Sequence, residues 1–189
     1  YKISNIRYKI DYSIFDLSYK DVKKLKKIKN IHLKLLGEHN VLNASAAIAV
    51  CLNLGVSQNI IKKSLKNFSG VQRRMTKIFS KNKNEFYDDY AHHPTEIASI
   101  LESVKNVYKK RKIISVFEPH RYSRVLSLQK KFAKSFIKSD LVLLCPLYAA
   151  GEKKSSKFND YKFAKLISNY SKNQVILIKN QIQLSLFFK

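Results

Sequence analysis

The sequence predicts an α/β fold, Rossmann-like in layout, with a mostly parallel sheet covered by helices and preceded by a strand-rich segment that ends in two helices. Three observations predict it. From about Gly70 onward, short apolar runs alternate with stretches whose apolar residues recur at three and four, which is the pattern of βαβ units in series. One of these runs, KIISVF at 112–117, is apolar almost throughout, as expected of a strand covered on both faces. Before Gly70 the pattern passes instead from alternation into two helical periods, so the two regions have different architectures.

Taken in order, RYKIDYSIFDLSY at 7–19 alternates partly, a Lys-rich turn follows, and IHLKLL at 31–36 alternates again; these read as strands joined by turns. In GEHNVLNASAAIAVCLNLG the residues Val41, Ala44, Ser45, Ile48, Ala49 and Leu52 form one helical face, and Gly55 stands where a helix stops. Ser57 is placed to cap a second helix with apolar positions Ile60, Ile61, Leu65 and Phe68, before a break at Gly70. NEFYDDY at 84–90 reads as the first strand of the parallel set. Pro94 fits the first position of a helix presenting Ile97, Ile100, Leu101, Val104 and Tyr108. KIISVF follows as a buried strand, then a helix with Val125, Leu128, Phe132 and Phe136 inward. LVLLC at 141–145, a helix from Tyr161 to Tyr170, and QVILI at 174–178 complete the series.

Composition limits the functions available. The 189 residues suffice for one domain, or for one domain and part of another. The formal charge is +24, which admits a nucleic acid or an anionic surface as partner. Yet only six of the 37 basic residues are Arg, and the lysines are scattered among Asn, Ile, Tyr and Phe, a mixture expected of an AT-rich genome. Scattered Lys reads as a solvated surface, and an anionic small substrate suits the charge equally well. Cys51 and Cys145 lie far apart in apolar surroundings and read as buried free thiols of a reducing compartment, hence a cytoplasmic protein. No run of about eighteen apolar residues and no signal-peptide core occurs, so no membrane partner is expected. Starting at Tyr1, the chain is expected to be a fragment of a larger protein. Oligomeric state is not legible.

Two polar clusters fall at expected strand ends, DDYAHHP at 88–94 and EPHRYSR at 118–124. Ligands of open parallel sheets bind at the carboxyl ends of strands, so the two clusters are expected to share a cleft. Each residue also has a plain structural role to weigh. One of His92 and His93 can cap the helix at Pro94 while the other packs against the sheet edge. A metal-hydrolase alternative would use His92, His93, His120 and the aspartates as ligands, but adjacent histidines converge poorly on one ion and nearby Arg residues repel it. Arg121 and Arg124 can be surface charges. In a chain that uses Lys for bare positive charge, however, an Arg pair points to planar, bidentate recognition of a carboxylate or phosphate, and the same holds for Arg73 and Arg74 in GVQRRM. In EHNVLN, Asn can cap a helix, or amide and imidazole groups can meet a base edge.

Taken together, GEHNVLNASAAIAV, GVQRRM, DDYAHHPTEI, FEPHRYSR and YAAGE, in unbroken order from Gly37 to Glu152, resemble the second half of the Mur ligase family. HRYSR resembles the branch that adds L-alanine to UDP-N-acetylmuramate, rather than the branch that recycles a murein tripeptide. The resemblance implies that residues 1–69 are the end of a central ATP-binding domain and that residues 70–189 are most of a C-terminal Rossmann-like domain. It implies an ATP- and Mg2+-dependent amide-bond ligase of peptidoglycan precursor synthesis, working through an acyl phosphate. By the same resemblance His39, Asn40, Asn43, Arg74 and Asp89 bind ATP. Tyr90, His92, His120, Arg121 and Arg124 bind L-alanine, with His92 and His120 as catalytic groups and His92 steering or deprotonating the ammonium. Met75 and Ala149 depart from the family pattern. No G-x-x-G-K-[ST] occurs, so the fragment itself is expected to be inactive, with the magnesium ligands mostly outside it. A basic nucleic-acid-binding α/β domain remains the alternative from another class.

Overall fold

The computed structural model describes residues 1–9, 12–22 and 24–189. Ile10 and Asp11, within the expected alternation at 7–19, and Lys23 of the Lys-rich turn lie outside the described residues. The chain forms two compact units, Tyr1–Tyr90 with Asn106–Lys109, and Ala91–Lys105 with Lys110–Lys189. Each has its own apolar core.

In the first unit β1 (Lys2–Tyr8), β2 (Ser13–Asp21) and β3 (Lys24–Leu33) make an antiparallel sheet in that order, followed by α1 (Glu38–Asn53) and α2 (Gln58–Asn67). Phe15, Leu17 and Tyr19 of the central strand share one face and pack with Ile28, Ile31 and Leu33 against Val41, Ala44, Ile48 and Ile61. The opposite face carries a buried carboxylate, Asp16. It accepts from the Asn5 side chain and the Asn30 backbone N–H, both at 2.8 Å, and pairs with Lys27 at 3.1 Å. Asn5 and Asn30 have φ of +55° and +52° and lie by the irregularities in both strand pairings, so Asp16 pins two bulges.

The helix ends follow from local chemistry. At the end of α1 the Val56 N–H returns to the Cys51 carbonyl at 3.0 Å and the Gly55 N–H to Leu52 at 3.1 Å, a Schellman closure with Gly55 at φ +79°. The Ser57 side chain accepts from the Ile60 N–H and caps α2. Of the expected α2 face, Ile61 is buried and Leu65 partly so, but Ile60 is 58% and Phe68 45% exposed. A short helix lying on β3 buries one narrow stripe, and Ile60 is about 100° around the helix from its neighbour Ile61.

NEFYDDY does form a strand, β5 (Asn84–Asp88), but it pairs antiparallel with β4 (Thr76–Lys81) and is not the first strand of the parallel set. The reason is the two-residue turn between them. Asn82 and Lys83 both have positive φ, +49° and +64°, the tight hairpin geometry whose twist matches antiparallel partners. Lys at such a position hides the turn from sequence reasoning.

The second unit begins with α3 (Pro94–Val107) and continues through β6 (Ile114–Phe117), α4 (Tyr122–Ser135), β7 (Leu141–Leu144), α5 (Asp160–Ser171), β8 (Gln174–Leu177) and α6 (Gln181–Phe187). The three strands form a parallel sheet in the order β6-β7-β8, so two βαβ steps replace the expected three. Pro94 starts α3, with Ile97 and Leu101 buried and Val104 packed beside them. Tyr108 lies one residue beyond the helix, and its hydroxyl meets that of Tyr87 at 2.7 Å within the first unit. Val125, Phe132 and Phe136 are buried as expected, in contact with Phe117 and Phe163. KIISVF is less covered than its composition suggests. Phe117 is buried, but Ile114 and Val116 are 43% and 46% exposed, because β6 is the edge of this sheet and one of its faces is open. Both cysteines are free, and both are partly rather than fully buried.

Candidate functional site

The carboxyl ends of β6 and β7 lead into the segments that hold Glu118–Arg124 and Tyr148–Glu152. The parallel ladder does not stop where the strands do. The Cys145 N–H donates to the Phe117 carbonyl at 2.9 Å, the Tyr148 N–H to Pro119 at 2.8 Å, and the Arg121 N–H to Tyr148 at 2.9 Å, with His120 and Tyr148 bridged in parallel. The two strand-end loops are thereby tied together, and the HRYSR residues sit on a hydrogen-bonded frame. Their backbone is also strained. Arg121, the residue before α4, has φ +69°, sparsely allowed for a side chain with a Cβ.

Two buried polar atoms in this frame have no hydrogen-bond partner among the described residues, His120 Nδ1 and Arg124 Nη1. Buried polar groups are nearly always satisfied in folded proteins, so two such atoms on this frame make it the candidate site of the second unit. Burial, then the charges of Arg124, Arg121 and His92, hold the His120 pKa below the ordinary histidine value, and Glu118 opposes them weakly. His120 is therefore neutral near pH 7, within range of three basic neighbours. Its ring lies 5.2 Å from that of Tyr148.

His92 and His93 belong to the same unit and have separate tasks. Glu96 accepts from both backbone N–H groups, at 3.1 and 3.2 Å, and its carboxylate stands 3.8 Å from His92 Nδ1. His93 Nδ1 accepts from the Thr95 N–H at 3.3 Å, so His93 caps α3 and the plain structural role suffices for it. His92, whose charge His120 senses, remains with the HRYSR group.

The remaining expected residues lie in the first unit. The loop holding Arg73 to Met75 is folded over the end of β5: the Tyr90 N–H donates to the Arg73 carbonyl at 2.8 Å, and Asp89 Oδ2 accepts from the Met75 N–H at 2.8 Å. Arg73 is 3.4 Å from Asp88 and its guanidinium lies 4.7 Å from the centre of the Tyr90 ring, so Arg73 builds the loop. Arg74 is exposed beside it. Both Arg73 and Met75 adopt positive φ, +59° and +49°. His39, Asn40 and Asn43 occupy the first turns of α1, whose N-cap is Gly37 at φ +96°, not an asparagine. The Asn40 amide donates to the Leu36 carbonyl at 2.7 Å, and Asn43 is exposed. Asp88–Tyr90 and Glu118–Arg124 are thus not successive strand ends of one hydrogen-bonded sheet. Sequence reasoning gave no role to Tyr148, Ser123 or Glu152, although YAAGE was among the motifs quoted. No local signal marks them, because the loops that hold them meet only through the parallel pairing of β6 with β7.

Among the described residues no group of three or more His, Cys, Asp or Glu is placed to hold a metal ion. No helix is long and apolar enough to cross a membrane.

Residues 73–183 match the Mur ligase, glutamate ligase domain. A UDP-N-acetylmuramate–L-alanine ligase of Pelagibacter ubique is 50% identical over 188 residues, covering 99% of this chain and 40% of its own length. The crystal structure of a UDP-N-acetylmuramate–alanine ligase from Thermotoga maritima superposes with a TM-score of 0.73 at 27% identity, over 97% of this chain and 38% of that one. A murein peptide ligase from Psychrobacter arcticus gives 0.61 at 25% identity, over 95% and 36% of the two chains. The chain thus spans about two fifths of the length of the relatives it matches.

Proposed function

The chain belongs to the Mur ligase family, and from that premise we propose that the protein carrying it is an ATP-dependent ligase of peptidoglycan precursor synthesis that joins L-alanine to UDP-N-acetylmuramate. The observation that carries the substrate reading is the pair of buried, unpartnered atoms on His120 and Arg124. A free amino acid offers a carboxylate with two acceptor oxygens, which suits a guanidinium nitrogen and an imidazole nitrogen that have no partner among the described residues. Arg121 and Arg124 hold that carboxylate, and His120, kept neutral first by burial and then by its basic neighbours, is able to accept a proton from the incoming ammonium with His92 beside it. Tyr90 is assigned to the same substrate by family resemblance and belongs to the first unit.

The first unit supplies groups that fit a nucleotide. His39, Asn40 and Asn43 on the opening turns of α1 present imidazole and amide groups suited to a base edge. Arg74 offers a guanidinium for phosphate, and Asp89, already oriented by its bond from Met75, offers a carboxylate for ribose hydroxyls. When bound, ATP supplies the phosphoryl group that activates the muramate carboxylate. No comparable donor set fits magnesium among the described residues. We assign residues 1–69 to the end of a central ATP-binding domain, residues 70–189 to the C-terminal domain, and the protein to the cytoplasm.

The test is phosphate release from ATP by a full-length protein carrying this chain, with each substrate omitted in turn. Release that requires both UDP-N-acetylmuramate and L-alanine is expected. Release that requires a murein tripeptide in place of alanine would assign the protein to the recycling branch, and release that needs neither would refute the ligase reading.

A further inference from the structure

The first turn of α4 carries the two arginines, yet its own N-cap does not hold it. Arg121 occupies that position at φ +69° and its side chain makes no capping bond. The cap arrives from 29 residues away. Glu152 Oε2 accepts from the Ser123 N–H at 3.0 Å and Oε1 from the Ser123 hydroxyl at 2.5 Å. The other end of the same loop grips the segment as well, through Arg121 N–H to Tyr148 O at 2.9 Å. Between these two ties the chain turns through Ala150 at φ +50° and Gly151 at φ +86°. The bonds from Ser123, then the Tyr122 backbone N–H and the Arg121 charge, hold the Glu152 carboxyl below its ordinary pKa, and a helix N-terminus favours a negative charge there.

We infer that Glu152 is a positioning residue for the amino-acid substrate: by capping α4 from the 148–152 loop it fixes the strained backbone at Arg121, and with it the directions of the Arg121 and Arg124 side chains. The inference rests on the reading that these arginines hold the substrate carboxylate. Strained conformations persist only where the surroundings over-determine them. Here the surroundings include hydrogen bonds from Ser123 and the Tyr122 backbone to one carboxylate and one from Arg121 to the Tyr148 carbonyl. Without the carboxylate, two donors of the first turn lose their partner and Arg121 is free to relax toward an ordinary conformation, which turns both guanidinium groups away from a shared target.

The experiment measures Michaelis constants for L-alanine, ATP and UDP-N-acetylmuramate, together with Tm, in a full-length ligase carrying Glu152→Ala, Glu152→Gln or Ser123→Ala. Misplacing a substrate-holding group by an ångström costs far more than tenfold in favourable cases, so Glu152→Ala is expected to raise the alanine KM by about tenfold or more while the other two constants stay within about twofold. Glu152→Gln, whose amide oxygen still accepts from the Ser123 N–H, recovers part of the loss. Ser123→Ala gives a smaller rise, and the double variant is no worse than Glu152→Ala alone. An unchanged alanine KM, or equal rises for all three substrates with a lowered Tm, overturns the inference. If Glu152→Ala does not fold, Glu152→Gln and Ser123→Ala decide by the same criteria. Arg121→Lys and Arg124→Lys, measured in parallel, separate the two levels. If they weaken alanine and the Glu152 variants do not, the positioning role falls and the substrate reading stands. If they leave alanine kinetics unchanged, the substrate reading falls and takes this inference with it.

Discussion

Replacing Arg124 by Met should make the free protein more stable and the ligase worse. Arg124 Nη1 is buried without a partner beside His120, whose Nδ1 is in the same condition, and Arg121 adds a second positive charge to the group. An unmet buried donor costs about 1–3 kcal/mol. Met keeps the length and the apolar stem of Arg while removing the donor and the charge, so Arg124→Met is expected to gain about 1–3 kcal/mol in the absence of ligand. For a unit the size of this chain that corresponds to a Tm higher by roughly 2–12 °C, and by less in a longer protein that unfolds as one. Removing one partner of a buried charge pair costs about 2–5 kcal/mol of binding, and at about 1.4 kcal/mol per decade kcat/KM for L-alanine should fall by about 30-fold or more. Calorimetry with and without L-alanine and steady-state kinetics on the full-length protein test both halves, with Lys130→Met on the exposed side of α4 as the control. A destabilised Arg124→Met, or a stabilised one with unchanged alanine kinetics, would refute the argument that the orphaned atoms await a substrate.

Two further outcomes are expected. His120 should titrate below the ordinary value of 6.5. Since the unfolded chain then binds more protons just below that pH, its contribution to stability is complete above about 6.5 and lost as pH falls. An NMR titration of the ring reads this directly, L-alanine should move the midpoint upward, and a free-protein midpoint at or above 6.5 counts against the described environment. Asp16 is held at about 2, against 3.8 in an unstructured chain, first by the Asn30 N–H. Its stabilisation is therefore present above about pH 4 and lost as pH falls toward 2. Asp16→Asn should cost about 2 kcal/mol at neutral pH by denaturant unfolding and flatten the acid limb, and an unchanged acid limb would remove Asp16 from the account.

Some local features were legible because the residues concerned have few alternative uses. Gly55 after a helical period and a histidine just before Pro94 each state a local requirement, and the structure meets both, with Gly55 at φ +79° and His93 capping α3. Helix existence followed for the same reason, since periodicity at three and four is a property of the segment itself. Partnership between strands is not. NEFYDDY reads equally well as a parallel or an antiparallel strand, and only the positive φ of Asn82 and Lys83 commits it to β4. KIISVF has the composition of a covered strand, but coverage depends on what lies on either side, and β6 is an edge. Glu152 shows the limit best. A cap drawn from the next residue is readable, whereas a carboxylate that reaches Ser123 across 29 positions acquires its role only when the parallel ladder from β6 to β7 brings the two loops side by side. The sequence by itself determined which chemistry is available and on which segments. The tertiary structure decided which of those groups are left without partners, because satisfaction of a buried polar atom is a property of its surroundings and not of its neighbours along the chain.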